Sequence, residues 1–279
     1  MSRYPRVSVL IPAYNSSKTI IRALSSVAIQ TLQPIEVIVV DDGSTDTTVS
    51  LVKEFSRNLR PASLRLITLG VNHGPAYARN VAWDATSGNL LALLDSDDSW
   101  HPRKLEIQAT YMAEHAELAL TGHRCGYMPE GYNEERLGTI AENWTSTRIS
   151  AWQLMTFSQF LTPTAMLNAR FPYRFDVSNH CCDERMLFLE VSLNKHAIER
   201  LELTLAYIHK APYGEGGITA RLWDCEKSEL RMFSQLRQRG YICRGQAVLM
   251  RILSIVKYFR RVLICLLRKH IGYTAIKGM

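Results

Sequence analysis

The chain has 279 residues, of which 47% are hydrophobic and 21% are charged, and its formal net charge is +7. This length can bury one large α/β core, or such a core with a small appendage. The six cysteines show no CxxC spacing, which argues against a disulfide framework or a zinc site and favours a reducing cytoplasm. Residues 1–6 contain no apolar secretory segment, so we expect no signal peptide.

Three apolar segments in the first hundred residues each predict a strand that ends in polar or aromatic residues. They occupy residues 7–11, 34–40 and 90–94. Helical patterns lie between them, at 17–30, 45–58 and 74–86, which favours βαβ units and a parallel sheet. Because ligands bind at the carboxyl ends of such strands, we expect the residues that follow these segments to surround a ligand.

The third apolar segment ends in three carboxylates, Asp95, Asp97 and Asp98. Clustered carboxylates repel each other, and the cluster costs stability unless a cation neutralises it. A hard divalent ion that also holds a diphosphate, Mn²⁺ or Mg²⁺, is the natural partner of such a cluster. The alternative is a solvated acidic turn, since aspartate favours turns.

Four segments in this order resemble the successive signatures of family 2 glycosyltransferases. They are VSVLIPAYN at 7–15, VIVVDDGSTD at 37–46, NHGPAYARN at 72–80 and LDSDDSW at 94–100. The resemblance implies an α/β protein with the GT-A fold, a Rossmann-like and mostly parallel sheet flanked by helices. It also implies inverting transfer of a sugar from a nucleotide diphosphate sugar to an acceptor hydroxyl.

The resemblance also assigns the donor-binding residues. Tyr14 would stack on the nucleotide base, and Asp42 would accept a hydrogen bond from a ring N–H; this favours UDP, although guanine and thymine carry the same donor. Asp98 would ligate the metal, with Asp97 beside it on the metal or the ribose. Arg79 would reach a phosphate, and the alternative is a solvated arginine near a helix start. The full donor set is Pro12, Tyr14, Asn15, Asp42, Gly74, Arg79, Asp95 and Asp97.

Residues 181–189 resemble the acidic pair of the family, followed by an apolar helix turn. The family order is Glu-Asp with the second residue as catalytic base, whereas this chain has Asp183-Glu184. Glu184 takes the base position, Asp183 is the alternative base, and both could simply be the acidic first turn of a helix. Acceptor contacts are predicted for Trp100, Thr164 and His209, with packing as the alternative for Trp100.

The tail is basic and amphipathic. Residues 231–279 contain eleven lysines or arginines and no acidic residue. Apolar residues from Val248 to Leu267 gather on one helical face, and Lys257, Arg260, Arg261 and Arg268 gather on the other. The longest apolar run has six residues and a spanning helix needs roughly 20, so we expect helix 241–270 to lie on a membrane surface. The alternatives are packing on its own domain or on a second copy, as a homodimer. Nucleic acid is not a predicted partner, because the tail has few aromatic residues.

Together these patterns predict a nucleotide-sugar-binding half at 1–100, an acceptor-binding half at 101–227 and a basic helical tail at 228–279. The predicted function is transfer of a sugar to a glycan or lipid-linked glycan in surface polysaccharide biosynthesis, at the cytoplasmic face of the cell membrane. Two other classes stay open. One is a catalytically silent nucleotide-sugar-binding module, which the swapped acidic pair favours. The other is a nucleotidyltransferase on a similar sheet.

Overall fold

The structure is a computed structural model that describes residues 5–57, 63–128, 137–179, 181–210 and 221–271, with side chains up to residue 267. Its strands are Val7–Ala13 (β1), Glu36–Asp41 (β2), Ser63–Thr68 (β3), Leu90–Leu93 (β4), Ser99–Trp100 (β5), Leu118–Tyr127 (β6), Ser146–Arg148 (β7), Met166–Asn168 (β8) and Ala197–Ile208 (β9). Its helices are Ile20–Ala28 (α1), Thr48–Ser56 (α2), Pro75–Asp84 (α3), Lys104–Glu114 (α4), Ala151–Thr156 (α5), Asp183–Leu193 (α6), Leu222–Gln238 (α7) and Arg244–Ile271 (α8).

One sheet runs through the described residues in the order β3-β2-β1-β4-β8-β6-β9-β5, and β7 also pairs with β9. The first four strands are parallel to one another, as the alternation of strands and helices predicts. Strand β8 then lies antiparallel between β4 and β6. The sheet therefore continues from the predicted donor half into the predicted acceptor half, and the predicted α/β fold is confirmed.

Strands β1 and β2 are buried on both faces because helices cover both sides of the sheet. Along β1, Leu10 packs into the cluster that contains α3, whereas Val9 and Ile11 pack into the cluster that contains α1. This alternation follows from the two-residue period of a strand. The continuous apolar runs of these strands thus reflect burial between two helical layers.

Strand β3 is an edge strand that we did not predict from the sequence. Residues 63–68 alternate between exposed and partly buried positions, and β2 is its parallel neighbour. It lacks the continuous apolar run of the central strands, because only one of its edges is paired and its faces are only partly covered.

Helix α8 packs on α7 through a face that combines apolar residues with polar and charged ones. Ala247, Met250 and Ser254 are buried there, and Lys257 and Arg261 form ion pairs with glutamates of α7. The predicted apolar face points away from the domain, with exposed Val248, Leu249, Ile252, Ile255, Val256, Phe259, Leu263, Leu266 and Leu267. The helix therefore packs on its own domain, as one of the stated alternatives has it, but the predicted apolar face takes no part in that packing. Over the described residues, none of the helices combines the length and the apolar character that crossing a bilayer would require.

Candidate active site

The loops that follow β1, β2 and β4 meet at the carboxyl edge of the sheet. The Asn15 amide donates to Ser44 Oγ at 2.9 Å, and the Thr45 amide donates to Asn15 Oδ1 at 2.9 Å. Ser16 Oγ and Ser96 Oγ are 2.7 Å apart, which joins the first loop to the third. Asn15 has a φ of 48°, a left-handed conformation that asparagine tolerates better than most residues. The sequence prediction that these strand ends lie together is thus confirmed.

Asp42 fixes the start of helix α3. One of its carboxylate oxygens accepts from the His73 amide at 2.8 Å and the other from the Gly74 amide at 2.7 Å. Gly74 has a φ of 93°, which favours glycine there. The loop after β2 also approaches the loop before α3 at Gly43, where a Cβ atom would lie 2.8 Å from the carbonyl carbon of Val71. In this structure the carboxylate of Asp42 therefore holds the loop before α3 in place through two backbone amides. Its contact with a nucleotide base stays a prediction.

Tyr14 and Pro12 occupy different environments after β1. The Tyr14 ring is 49% exposed at the strand end, whereas Pro12 is buried within β1 and pairs with Val40. An exposed aromatic ring beside polar loops offers a stacking surface. Of these two predicted residues, only Tyr14 presents its side chain to solvent.

The three carboxylates after β4 occupy a tight turn in which the Asp98 amide donates to the Asp95 carbonyl at 3.1 Å. Asp98 is buried, and burial, together with the negative charges of Asp97 and Asp95, raises its pKa well above the usual range. Two cations offset part of this charge. Lys210 Nζ lies 2.7 Å from Asp97 Oδ2, and Arg22 Nη2 donates to the Asp97 carbonyl at 2.5 Å. Arg22 carries no motif signal, and the sequence reasoning missed it.

These carboxylates fit a divalent cation that is shared with a ligand. A buried carboxyl group whose pKa its neighbours raise is a group that a cation would stabilise in its charged form. Within the described ranges, no three His, Cys, Asp or Glu side chains form a group that could hold a metal ion. Mg²⁺ and similar ions are commonly held by one or two carboxylates together with substrate phosphates. Asp98, with Asp97, would supply the protein ligands of such a site.

Arg79 joins three parts of the molecule. It extends from α3, and its side chain is only 7% exposed. Its Nη2 atom lies 2.7 Å from Asp95 Oδ1 and its Nη1 atom lies 2.7 Å from Asp183 Oδ2. Both terminal nitrogens are thus bound to carboxylates in this structure, and a phosphate contact of Arg79 stays a prediction. The alternative of a solvated arginine is wrong, because the side chain is buried.

The acidic pair begins helix α6, and its two members differ in environment. Asp183 is buried and ion-paired with Arg79. Glu184 as a residue is partly exposed, but its carboxyl group is buried. This burial raises the pKa of Glu184 well above the usual range, and the negative charge of Asp183 and the hydrogen bond with Asp183 raise it further. A carboxyl group with a raised pKa is suited to proton transfer near neutral pH. In the described structure, Asp183 and not Glu184 forms the ion pair with Arg79.

Two of the three predicted acceptor contacts are wrong. Trp100 is completely buried, its indole N–H donates to the Pro163 carbonyl at 2.7 Å, and Lys104 Nζ lies 3.9 Å from its ring centroid. Thr164 is also completely buried, and its hydroxyl donates to the Leu161 carbonyl at 2.7 Å. Both side chains are part of the packing between the sheet and its connections, which is the alternative stated for Trp100.

His209 lies beside the carboxylate turn. Its Nε2 atom is 2.8 Å from Ser99 Oγ and its Nδ1 atom is 2.6 Å from the Met128 carbonyl. Partial burial, with the nearby charge of Arg22, lowers its pKa. Since its neighbour Lys210 contacts Asp97, the end of β9 contributes to the same edge as the three loops. An acceptor contact of His209 stays a prediction.

Known proteins resemble this chain in sequence and in fold. Residues 8–178 match the family model described as Glycosyl transferase family 2. A segment of 106 residues, 38% of this chain, is 42% identical to the UDP-Glc:alpha-D-GlcNAc-diphosphoundecaprenol beta-1,3-glucosyltransferase WfgD of Escherichia coli and covers 40% of that protein. The chain thus spans less than half the length of this relative.

Two solved structures share the fold. One is S. aureus TarS 1–349 in complex with UDP-GlcNAc, with a TM-score of 0.64 and 24% identity over 83% of this chain and 66% of that chain. The other is the mannosyltransferase PcManGT from Pyrobaculum calidifontis in complex with GDP-Man and Mn²⁺, with a TM-score of 0.64 and 18% identity over 98% of this chain and 82% of that chain. At these identities the likeness concerns the fold.

Proposed function

This chain belongs to glycosyl transferase family 2 and is a glycosyltransferase, and we propose that it transfers a sugar from a UDP-sugar, with inversion, to a hydroxyl of a glycan or lipid-linked glycan during bacterial surface polysaccharide synthesis. The observation that carries the proposal is the bridge from Asp95 through Arg79 to Asp183. It joins the carboxylate turn after β4 to the acidic start of α6, so the proposed donor site and the proposed general base would lie at one edge of the sheet.

The proposed donor site combines the loops after β1, β2 and β4. The exposed ring of Tyr14 would stack on the base, and Asn15 and Gly74 lie on the loops that border it. UDP is favoured by the predicted role of Asp42, and the TarS complex contains UDP-GlcNAc. PcManGT binds GDP-Man on a similar fold, so the base has to be tested directly.

The proposed chemistry is a single displacement. Glu184 accepts the proton of the acceptor hydroxyl while its oxygen forms a bond to the anomeric carbon, and the bond from that carbon to the diphosphate oxygen breaks. Asp98 and Asp97 would hold Mn²⁺ or Mg²⁺, which supplies positive charge next to the leaving diphosphate. Asp183 holds the first turn of α6 in place through Arg79. Asp183 as the base is disfavoured because its carboxylate is committed to that ion pair.

The proposed location is the cytoplasmic surface of the cell membrane, and α8 supports it. A helix on a water-soluble domain ordinarily turns its apolar face inward. Helix α8 turns Ala247 and Met250 inward, but Lys257 and Arg261 also contact α7 while the larger apolar set with Ile252, Val256 and Phe259 is exposed. An exposed apolar helix face with flanking basic residues suits the interface of an anionic bilayer. A lipid-linked acceptor would reach the enzyme from the same surface.

The first experiment measures thermal stabilisation by nucleoside diphosphates, with and without Mn²⁺. Ligand at about 100 times its Kd stabilises the folded state by about 2.7 kcal/mol, or roughly 5–10 °C for a chain of this size. We expect this shift for UDP, its loss in Asp98→Asn, and its retention in Asp84→Asn, whose carboxylate is exposed and paired with Arg174. No shift with any nucleotide would contradict the donor site.

Product analysis separates the alternative classes. Release of UDP from a UDP-sugar, together with a glycosylated acceptor of inverted configuration, supports the proposal. Release of diphosphate from a nucleoside triphosphate, with a sugar phosphate as the acceptor, would indicate a nucleotidyltransferase. Binding of the nucleotide sugar without any product, when a panel of lipid-linked acceptors is supplied, would indicate a catalytically silent module.

Sedimentation with vesicles tests the membrane surface. We expect the full chain to sediment with anionic vesicles and the variant Val256→Glu/Leu263→Glu to stay in solution. The control Val177→Glu places one glutamate on an exposed apolar residue outside α8 and should still sediment. Equal sedimentation of all three proteins would contradict the proposal. A dimer that the same double change dissociates would instead assign the face to a second copy.

A further inference from the structure

The residue after the proposed base is held from two sides. Arg185 of α6 donates through Nε to the Leu154 carbonyl at 2.8 Å, and its Nη2 atom donates to the Met155 carbonyl. Its Nη1 atom lies 2.8 Å from an oxygen of Glu229 on α7. The side chain is largely buried, so these contacts fix the guanidinium between α5 and α7. The backbone next to Glu184 is thereby attached to both helices.

Glu229 also holds helix α8. Lys257 Nζ lies 2.9 Å from the same oxygen that contacts Arg185, and Arg261 Nη2 lies 3.5 Å from the other oxygen. Only 4% of the Glu229 side chain is exposed. Burial alone would raise its pKa, but the charges of Arg185 and Lys257 lower it to about 2, so the group is an anion at neutral pH. One carboxylate therefore connects α6, α7 and α8.

We propose that Arg185 and Glu229 are positioning residues that fix the first turn of α6, and with it Glu184, to the helix whose outer face is exposed and apolar. The inference rests on the proposed function in that Glu184 is taken as the base. Glu229 contacts no proposed substrate group; it acts through Arg185. The arrangement would set the position of the base relative to the surface from which a lipid-linked acceptor arrives.

The physical argument concerns positional accuracy. A general base has to lie within hydrogen-bond reach of the hydroxyl that it deprotonates, so a displacement of about 1 Å lowers the rate. A buried ion pair contributes little net free energy to folding, since the cost of desolvating both charges offsets their Coulomb attraction. It does fix geometry, because Arg185 binds a carboxylate and two carbonyls in a planar fork. The contacts of Arg185 with α5 and α7 thus limit motion of the first turn of α6.

The chain contains a matched control for Glu229. Glu226 lies one turn earlier on α7, is also buried, and also pairs with Arg261, at 2.6 Å. Its other described partner is the Ser254 hydroxyl of α8 at 2.8 Å, and no contact with Arg185 is present among the described residues. Replacing either glutamate by glutamine removes one buried charge between α7 and α8. Only Glu229→Gln removes the partner of Arg185.

The experiment compares Glu229→Gln and Glu226→Gln in the full chain, by steady-state kinetics and by amide hydrogen exchange. We expect kcat to fall at least tenfold in Glu229→Gln with the donor KM within twofold of wild type, and kcat to stay within twofold in Glu226→Gln. We also expect amide exchange in residues 182–187 to rise at least tenfold in Glu229→Gln only. Equal kcat and equal exchange in the two variants would overturn the proposal.

Exchange also separates this inference from the proposed function. If the wild-type protein transfers no sugar to any acceptor, the proposed function fails, whereas a selective rise of exchange at the start of α6 still supports the positioning role. If both variants lose their folded structure, the pair Lys257→Met and Arg261→Met replaces them. Lys257→Met then has to raise exchange at residues 182–187 more than Arg261→Met, because Lys257 is closer to the oxygen that Arg185 contacts. The reverse order would overturn the proposal.

Discussion

The buried bridge at Arg79 makes a prediction about stability that does not depend on substrate. Replacing Arg79 by methionine keeps an unbranched stem of similar shape but removes the cation from Asp183 and Asp95. The Asp183 side chain is only 3% exposed, so its charge cannot be solvated when the arginine is absent, whereas Asp95 is 27% exposed and can contact water. Removing one partner of a buried ion pair costs about 3–5 kcal/mol of unfolding free energy.

A double-mutant cycle tests this prediction, because the effect of Asp183→Asn on the free energy of unfolding should change sign between the wild-type and the Arg79→Met backgrounds. Asp183→Asn in the wild-type background removes one charge-assisted hydrogen bond and should destabilise the fold by about 1.5–3 kcal/mol. In the Arg79→Met background the same change removes an uncompensated buried charge, and it should stabilise the fold. Urea denaturation of the four proteins at pH 7 gives the coupling energy between the two side chains. If Asp183→Asn has the same effect in both backgrounds within about 0.5 kcal/mol, the reasoning from the bridge is refuted.

Three further changes have expected outcomes. Gly43→Ala should lower the free energy of unfolding by about 1–3 kcal/mol in urea denaturation, because φ of Gly43 is +78° and the new Cβ atom would meet the Val71 backbone. Gly70→Ala should lower it less, because Gly70 has the same φ but no atom within 4 Å of the new Cβ atom. Glu184→Gln should lower kcat by about 10²–10⁴ with nucleotide binding retained in calorimetry. Because folding raises the pKa of Glu184, the contribution of this residue to stability is present at low pH and is lost as the pH rises. Glu184→Gln should therefore be more stable than wild type at pH 8 but not at pH 4. Glu229→Gln should lower the free energy of unfolding by roughly 3 kcal/mol at pH 7, since folding lowers the pKa of Glu229 from 4.5 to about 2. This loss of stability should become smaller as the pH falls below 4. Equal losses at pH 7 and pH 3 would contradict the prediction.

The donor edge could be predicted from the sequence because its signals are local. Each of the first strands is a short apolar run that stops at polar residues, and parallel strands bring their carboxyl ends together. The turn at Asp95 to Asp98 and the loop at Asp42 were therefore predicted to lie at the same edge. The contacts of Thr45 with Asn15 and of Ser16 with Ser96 show that the loops after β2 and β4 both meet the loop after β1.

The long-range partners could not be predicted in this way. Arg79 and Asp183 are separated by 104 positions, and nothing in either local pattern specifies the other. Trp100 follows the carboxylates directly and so resembles a site residue, but the short strand β5 carries its ring into the core. For α8, periodicity identifies an apolar and a basic face but not which of them packs on protein. That choice depends on the buried glutamates of α7, which attract Lys257.

The separation between Arg79 and its second carboxylate has a consequence for the order of folding. Strands β1 to β4 pair within the first 93 residues through local connections, and local contacts close with the smallest loss of chain entropy. Helix α6 joins them only after a further ninety residues have been synthesised. A nascent chain would thus pair the strands of the proposed donor edge before it acquires α6 with the proposed base, and the contact of Lys210 with Asp97 would follow later still.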